Sequence, residues 1–181
     1  MSSKTTYVAL LRAVNVGGRT AKMERVRDLF EQAGCTDVRS YIQSGNVCFR
    51  TTRGRKGARA AIEASLADGL GFDVPVVLRT RAEIAHAIGL DAFAGVRVTP
   101  DTRLCIVFVA EPLPRGLKFP IVSPKGDVEV LGATDGEAFV VITNPPGRAA
   151  NPAAFLEKTF QVPSTTRFLH TTEKILAAFA D

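Results

Sequence analysis

Between Tyr7 and Leu78 the hydrophobic period switches in a fixed order, and that order restricts the fold more than any other feature of the chain. Tyr7 to Leu11 is an apolar run closed by Arg12 and by Asn15-Val16-Gly17-Gly18, which reads as a buried strand entering a Gly-rich loop. From Lys22 onward Met23, Val26, Leu29, Phe30 and Ala33 recur at helical spacing, and Gly34 supplies the stop. Val38 to Ile42 and Val47 to Phe49 are strands around a Ser44-Gly45-Asn46 tip, since Gly and Asn tolerate the positive φ of a tight turn. A second helix runs from about Gly57 to Leu70 and ends at Gly71; a strand from Val74 to Leu78 follows, with Pro75 near its start. Strand, helix, strand, strand, helix, strand is the split βαβ order of ferredoxin-like folds.

The order then recurs with one element missing. Arg81 to Leu90 reads as a linking helix, and Arg103 to Val109 is the next strand. The stretch from Glu111 to Pro124 carries Pro112, Pro114, Pro120 and Pro124 where the first half has its first helix, and proline cannot sustain one. Strands follow at Val128–Leu131 and Ala138–Thr143, then a helix from Pro152 to Phe160 with Asn151 as its cap. A strand at Thr165–Phe168 and a helix at Thr172–Phe179 complete the chain. The expected architecture is α+β, with two ferredoxin-like halves and mainly antiparallel sheets. The first half is residues 1–80 and the second 103–181, joined by the helix and loop of 81–102, and the second half lacks a regular first helix. With 46% hydrophobic and 23% charged residues, each half has material for a core.

This topology locates a candidate site. In a split βαβ sheet the first two strands are parallel, so the loop after the first and the hairpin after the second share one edge. Arg12, Asn15, Gly17 and Gly18 are thereby expected beside Gln43, Ser44, Gly45 and Asn46. A guanidinium, amide and hydroxyl side chains and glycine N–H groups would meet near a helix start, which favours anions. Turn chemistry alone accounts for Ser44-Gly45-Asn46 and the Gly17-Gly18 pair, and Asn15 equally suits backbone groups of its own loop; Arg12, a charge ending a buried strand, is what this accounts for least.

The segments Tyr7–Gly18 and Tyr41–Val47 resemble the two signature segments of a largely bacterial family, domain of unknown function 1697; Lys22–Gly34 and Gly71–Val76 resemble it too. The resemblance implies a two-part α+β fold with ferredoxin-like elements and no activity. This chain departs from the family at three places. Ala13 replaces the Gly of Arg-Gly-Ile-Asn. Gly147-Arg148 continues as Ala149-Ala150 instead of Ser-Lys. Arg167-Phe168-Leu169-His170-Thr171 stands for Arg-Asn-Trp-Asn-Thr.

Charge and composition narrow the function classes. Lys and Arg number 23 against 18 Asp and Glu, a net +5, and the excess gathers at Arg53, Arg55, Lys56 and Arg59. No aromatics interleave with that segment, so nucleic acid is the weaker of the partner expectations and a phosphorylated small molecule the stronger. Cys35, Cys48 and Cys105 form no C-x-x-C pair and read as small buried side chains in a reducing compartment. His86 reads as a surface residue on a short helix, and His170 as a capping or loop residue ahead of the last helix. No metal cluster, P-loop or dinucleotide fingerprint occurs, so no cofactor or metal is expected. No apolar stretch approaches the roughly 20 residues a bilayer requires, so no membrane partner is expected and the cytoplasm is the expected address. The residues assign no catalytic base or nucleophile. The expectation is an anion-binding edge. An enzyme acting on an anionic small molecule, with Asn15 or Gln43 stabilising charge, and a protein-interaction module are the alternatives.

Overall fold

Strand β1 (Thr5–Leu11) is the hub of the first sheet, flanked by β3 (Asn46–Thr51) and β4 (Val76–Arg79), with β2 (Thr36–Tyr41) outside β3. Neighbours are antiparallel throughout, so β1 and β2, both paired against β3, run parallel to each other. Alternate residues of β1, namely Tyr7, Ala9 and Leu11, enter a core with Val26, Leu29 and Phe30 of α1 (Met23–Gln32) and Ala58, Ile62 and Leu66 of α2 (Arg55–Leu70). Strand period two meeting helix period 3.6 is what allows one face of each element to do this. Full burial of side chains such as Phe30, Ile62 and Leu66 stabilises by about 1.5–3 kcal/mol each. The helices lie close because Gly69 of α2 has no side chain: a Cβ there would collide with Leu29, whose carbonyl also accepts from Ser65 Oγ at 2.7 Å.

The computed structural model describes residues 3–144 and 149–180. The chain divides into two units, Met1–Ile84 with Ile175–Asp181, and Ala85–Lys174. Within the first, Phe179 is buried and meets the Tyr41 ring edge-on, centroids 6.5 Å apart. Helix α3 (Arg81–Gly89) opens on a reciprocal cap that the Thr80-x-x-Glu83 pattern encodes. Glu83 Oε2 accepts from the Thr80 N–H at 2.7 Å, and Thr80 Oγ1 from the Glu83 N–H at 3.2 Å.

The second unit repeats the plan. Its sheet runs β6 (Ile121–Val122), β7 (Val128–Ala133), β8 (Glu137–Thr143), β5 (Thr102–Val109), β9 (Ser164–Phe168), again antiparallel. Without β6, this is the first sheet's order. Cys105, Val107 and Val109 of β5 pack with Val128, Val130, Val140 and Ile142, and with Ala153 and Leu156 of α4 (Pro152–Phe160). Asn151 caps α4, its Oδ1 accepting from the Ala154 N–H at 3.0 Å.

The repetition reaches individual hydrogen bonds. Leu11 N–H donates to the Gly45 carbonyl at 2.8 Å, and Val109 N–H to the Gly136 carbonyl at 3.0 Å. Arg12 N–H donates to Pro75 O at 3.0 Å, and Ala110 N–H to Pro163 O at 2.9 Å. Glu63 of α2 accepts from the first amide of β4, Val76, at 2.9 Å; Glu157 of α4 accepts from the first amide of β9, Ser164, at 3.0 Å. Arg79 and Arg167, each three residues further on and each buried, turn a guanidinium N–H onto the preceding carbonyl, at 2.8 and 2.9 Å. The two halves are thus structural counterparts with little surviving identity of side chains.

Two sequence expectations shift. The proline stretch forms no helix, as read, but it contributes β6, held by pairing Ile121 with Val130 and Val122 with Glu129. Helix α5 (Leu169–Ala178) begins directly after β9 and not at Thr172, so His170 lies in its first turn and not ahead of it. The Gly147-Arg148 pair falls outside the described residues. Among the described residues no helix is long and apolar enough to cross a membrane.

Candidate functional site

The loop after β1 and the tip between β2 and β3 lie together, as strand order requires. Leu10 pairs with Asn46, and Leu11 donates to the Gly45 carbonyl. Asn15 fastens the two loops: its Nδ2 donates to the Gln43 carbonyl at 2.7 Å, and its Oδ1 accepts from the Ala21 N–H at 2.7 Å. Val14, buried, plugs the loop into the core. Gly45 sits at φ +81°, and a Cβ there would stand 2.9 Å from both Leu11 Cβ and Val14 Cγ1. Asn46 is fully buried, its Nδ2 donating to the Tyr41 carbonyl at 3.1 Å and to Ser44 Oγ at 3.0 Å. These contacts account structurally for Asn15, Gly45 and Asn46, which build the rim.

What the rim presents outward comes from the other positions. Arg12 is half-buried, while Gln43 and Ser44 are exposed. Gly17 and Gly18, at φ +67° and +83°, have open space around them. Two cations of the same loop join this group although the sequence reading passed over them. Arg19 lies with its guanidinium carbon 5.0 Å from the centre of the Phe72 ring, and Lys22 directly precedes α1, whose first turn no side chain caps. Three cations in the eleven-residue loop 12–22 were the available signal. Val16 and Ile42, one on each loop, are apolar and 65% and 49% exposed.

Two cations of the other basic segment are engaged by carboxylates. Arg55 meets both carboxylate oxygens of Glu83, at 2.7 and 2.8 Å, and lies 5.6 Å from the Tyr7 ring centre. Arg59 pairs with Glu63 at 3.9 Å. Burial pushes the Glu83 carboxyl up, but the Thr80 N–H and the Arg55 guanidinium outweigh it and the net shift is downward.

All three cysteines are buried. Burial raises the Cys35 thiol to about 11 against a weaker pull from Arg53, and the Cys105 thiol to about 12. Thiols this hard to ionise are poor nucleophiles. His86 is exposed on α3. Among the described residues His, Cys, Asp and Glu do not gather in threes that could hold a metal ion.

The sequence profile of a family described as a protein of unknown function, DUF1697, matches residues 4–139. The chain belongs to the DUF1697 family. A conserved bacterial protein of Streptococcus pneumoniae, SP0830, superposes on this DUF1697 chain with a TM-score of 0.66 at 20% identity, over 97% of this chain and 98% of that one. That likeness shows the shared fold. No protein with a curated description matches. The rings of Phe168 and His170 stack with centroids 5.7 Å apart. Arg167 beside them is buried, with Nη1 donating to Thr165 Oγ1 at 2.8 Å.

Proposed function

We propose that the chain binds a phosphorylated small molecule at the rim formed by Arg12, Asn15, Gly17 and Gly18 with Gln43, Ser44, Gly45 and Asn46. The observation that carries this reading is the double tie of Asn15 to Gln43 and Ala21, which holds a loop with three cations and two glycine amides against the hairpin tip. Preorganised N–H groups and cations beside a helix start suit a phosphate. Arg12, Arg19 and Lys22 supply the charge, with Gln43 and Ser44 as neutral hydrogen-bonding groups. A small ligand fits better than nucleic acid. Arg55 and Arg59 of the other basic segment are engaged by carboxylates, and Tyr7 and Phe49 of the sheet are buried instead of offering stacking faces.

Exposed Val16 and Ile42 on the same two loops favour a second reading, a protein contact at this rim. Buried thiols with raised pKa agree with a reducing compartment, and we place the protein in the cytoplasm on that ground.

Thermal shift with pyrophosphate, nucleoside monophosphates and sugar phosphates tests the ligand. The reading expects a concentration-dependent rise in Tm that is lost in Arg12→Glu and kept in Arg55→Glu/Lys56→Glu. The converse pattern would make the attraction non-specific and remove the site. No rise with any phosphate, together with a stable complex or oligomer by light scattering, would favour the protein contact.

A further inference from the structure

We propose that the second unit holds a small organic anion, an apolar body carrying a carboxylate or phosphate, in the cavity between α4 and the β6–β7 turn. This site is independent of the rim in the first unit.

The cavity measures about 480 Å³, within the range of small-molecule sites. One wall is a single face of α4: Asn151, Phe155 and Lys158 recur at i, i+4 and i+7 and all line it. The opposite wall is the turn into β7, with Pro124, Lys125 and Val128. Phe155, Val128 and Pro124 make an apolar slot suited to a flat body. Lys125 and Lys158 place two ammonium groups at it, and neither is in an ion pair among the described residues. The carboxylate in the lining, Asp127, accepts from Ser123 Oγ at 2.7 Å, which ties it to the turn. The Asn151 side chain uses its oxygen on the Ala154 N–H, leaving its NH₂ as a donor at the positive end of α4.

The origin of the cavity supports its use. In the first unit α1 packs on both α2 and β2. The counterparts of α2 and β2 are α4 and β7, and the proline stretch supplies no helix to lie between them. Leu113 of that stretch reaches the core, but beside α4 and β7 a place that a helix covers in one half is left in the other as an open, cation-rimmed hollow between elements that are themselves anchored in a core.

Amide chemical shifts of the full chain, titrated with phenyl phosphate and with benzoate, test this. Saturable shifts at residues 123–128 and 151–159 are expected, while amides of 12–22 and 43–46 report the rim separately. Phenol and inorganic phosphate, each carrying half of the required chemistry, should bind these residues about tenfold more weakly. Lys125→Glu/Lys158→Glu should weaken the tighter probe by about tenfold, and Lys174→Glu, an exposed lysine of α5 outside the lining, should leave it unchanged. The tighter of the two probes distinguishes phosphate from carboxylate. Both lysines are exposed, so the double variant should keep the native spectrum. Absence of saturable shifts with either probe, or equal affinity in the double variant, would overturn the proposal.

Discussion

The Asn15 side-chain amide and the Gln43 carbonyl meet at 2.7 Å across 28 positions of sequence. The same side chain receives the Ala21 N–H, so one residue closes the Gly-rich loop on itself and onto the neighbouring hairpin. Asn15 is a strut of the rim, and the groups that face outward are its neighbours.

Removing the strut should cost stability and ligand response together. Asn15→Ala leaves the Gln43 carbonyl and the Ala21 N–H without these partners, a loss of about 1–2 kcal/mol. The expected fall in Tm is roughly 3–6 °C. The rise in Tm with phosphate compounds should also shrink, because the loop cations are then no longer held in place.

The glycines of the rim should separate into two kinds. Gly45→Ala places a Cβ at φ +81° between Leu11 and Val14, adding backbone strain of about 1 kcal/mol to a clash of about 1–3 kcal/mol. Gly17→Ala and Gly18→Ala meet open space and carry only the backbone term, roughly 1 kcal/mol. Urea unfolding of the three variants measures the difference. Phosphate response should be altered by the Gly17 and Gly18 substitutions, whose amides the ligand would approach.

Stability should fall in alkali. Cys35 and Cys105 hold their protons to about 11 and 12 in the folded chain, against an ordinary value of 9.0. The unfolded chain therefore loses these protons first as pH rises. The stabilisation is complete below about pH 9 and drains away between there and the folded values. Tm measured from pH 8 to 10.5 should slope downward, and Cys105→Ala should flatten that slope whatever it does to Tm at neutral pH. A slope unchanged by the substitution would reject the assignment.

Glu63→Ala and Glu157→Ala should be matched lesions. Each uncovers the first amide of an outer strand, Val76 or Ser164, at about 1–2 kcal/mol. Hydrogen exchange at those two amides should quicken by similar factors, each in its own variant.

Much of the architecture was legible because its signals are local. Pro152 to Phe160 with its Asn151 cap was readable to the residue, since the cap and the proline at the first turn mark the boundary. The start of α5 was not, because no cap announces it: the chain passes from Phe168 straight into Leu169, and Thr172 Oγ1 donates to the Phe168 carbonyl at 3.0 Å. Strand β6 is two residues among prolines and owes its existence to a partner strand, so no local pattern reveals it. At the rim, strand order alone brought the two loops together. Which of its polar groups face inward depends on tertiary closure: in sequence Asn15 and Asn46 suit a ligand and a turn equally, and in the fold their amides serve backbone carbonyls.

Ile175 and Phe179, at the far end of the chain, are buried and belong to the first unit, where Phe179 closes on Tyr41. During synthesis, then, the half that emerges first cannot be finished until residues 175–179 have been made, whereas the half between already has every part it needs. Maturation should run in the reverse of birth order, with the N-terminal half waiting on the ribosome for its closing residue.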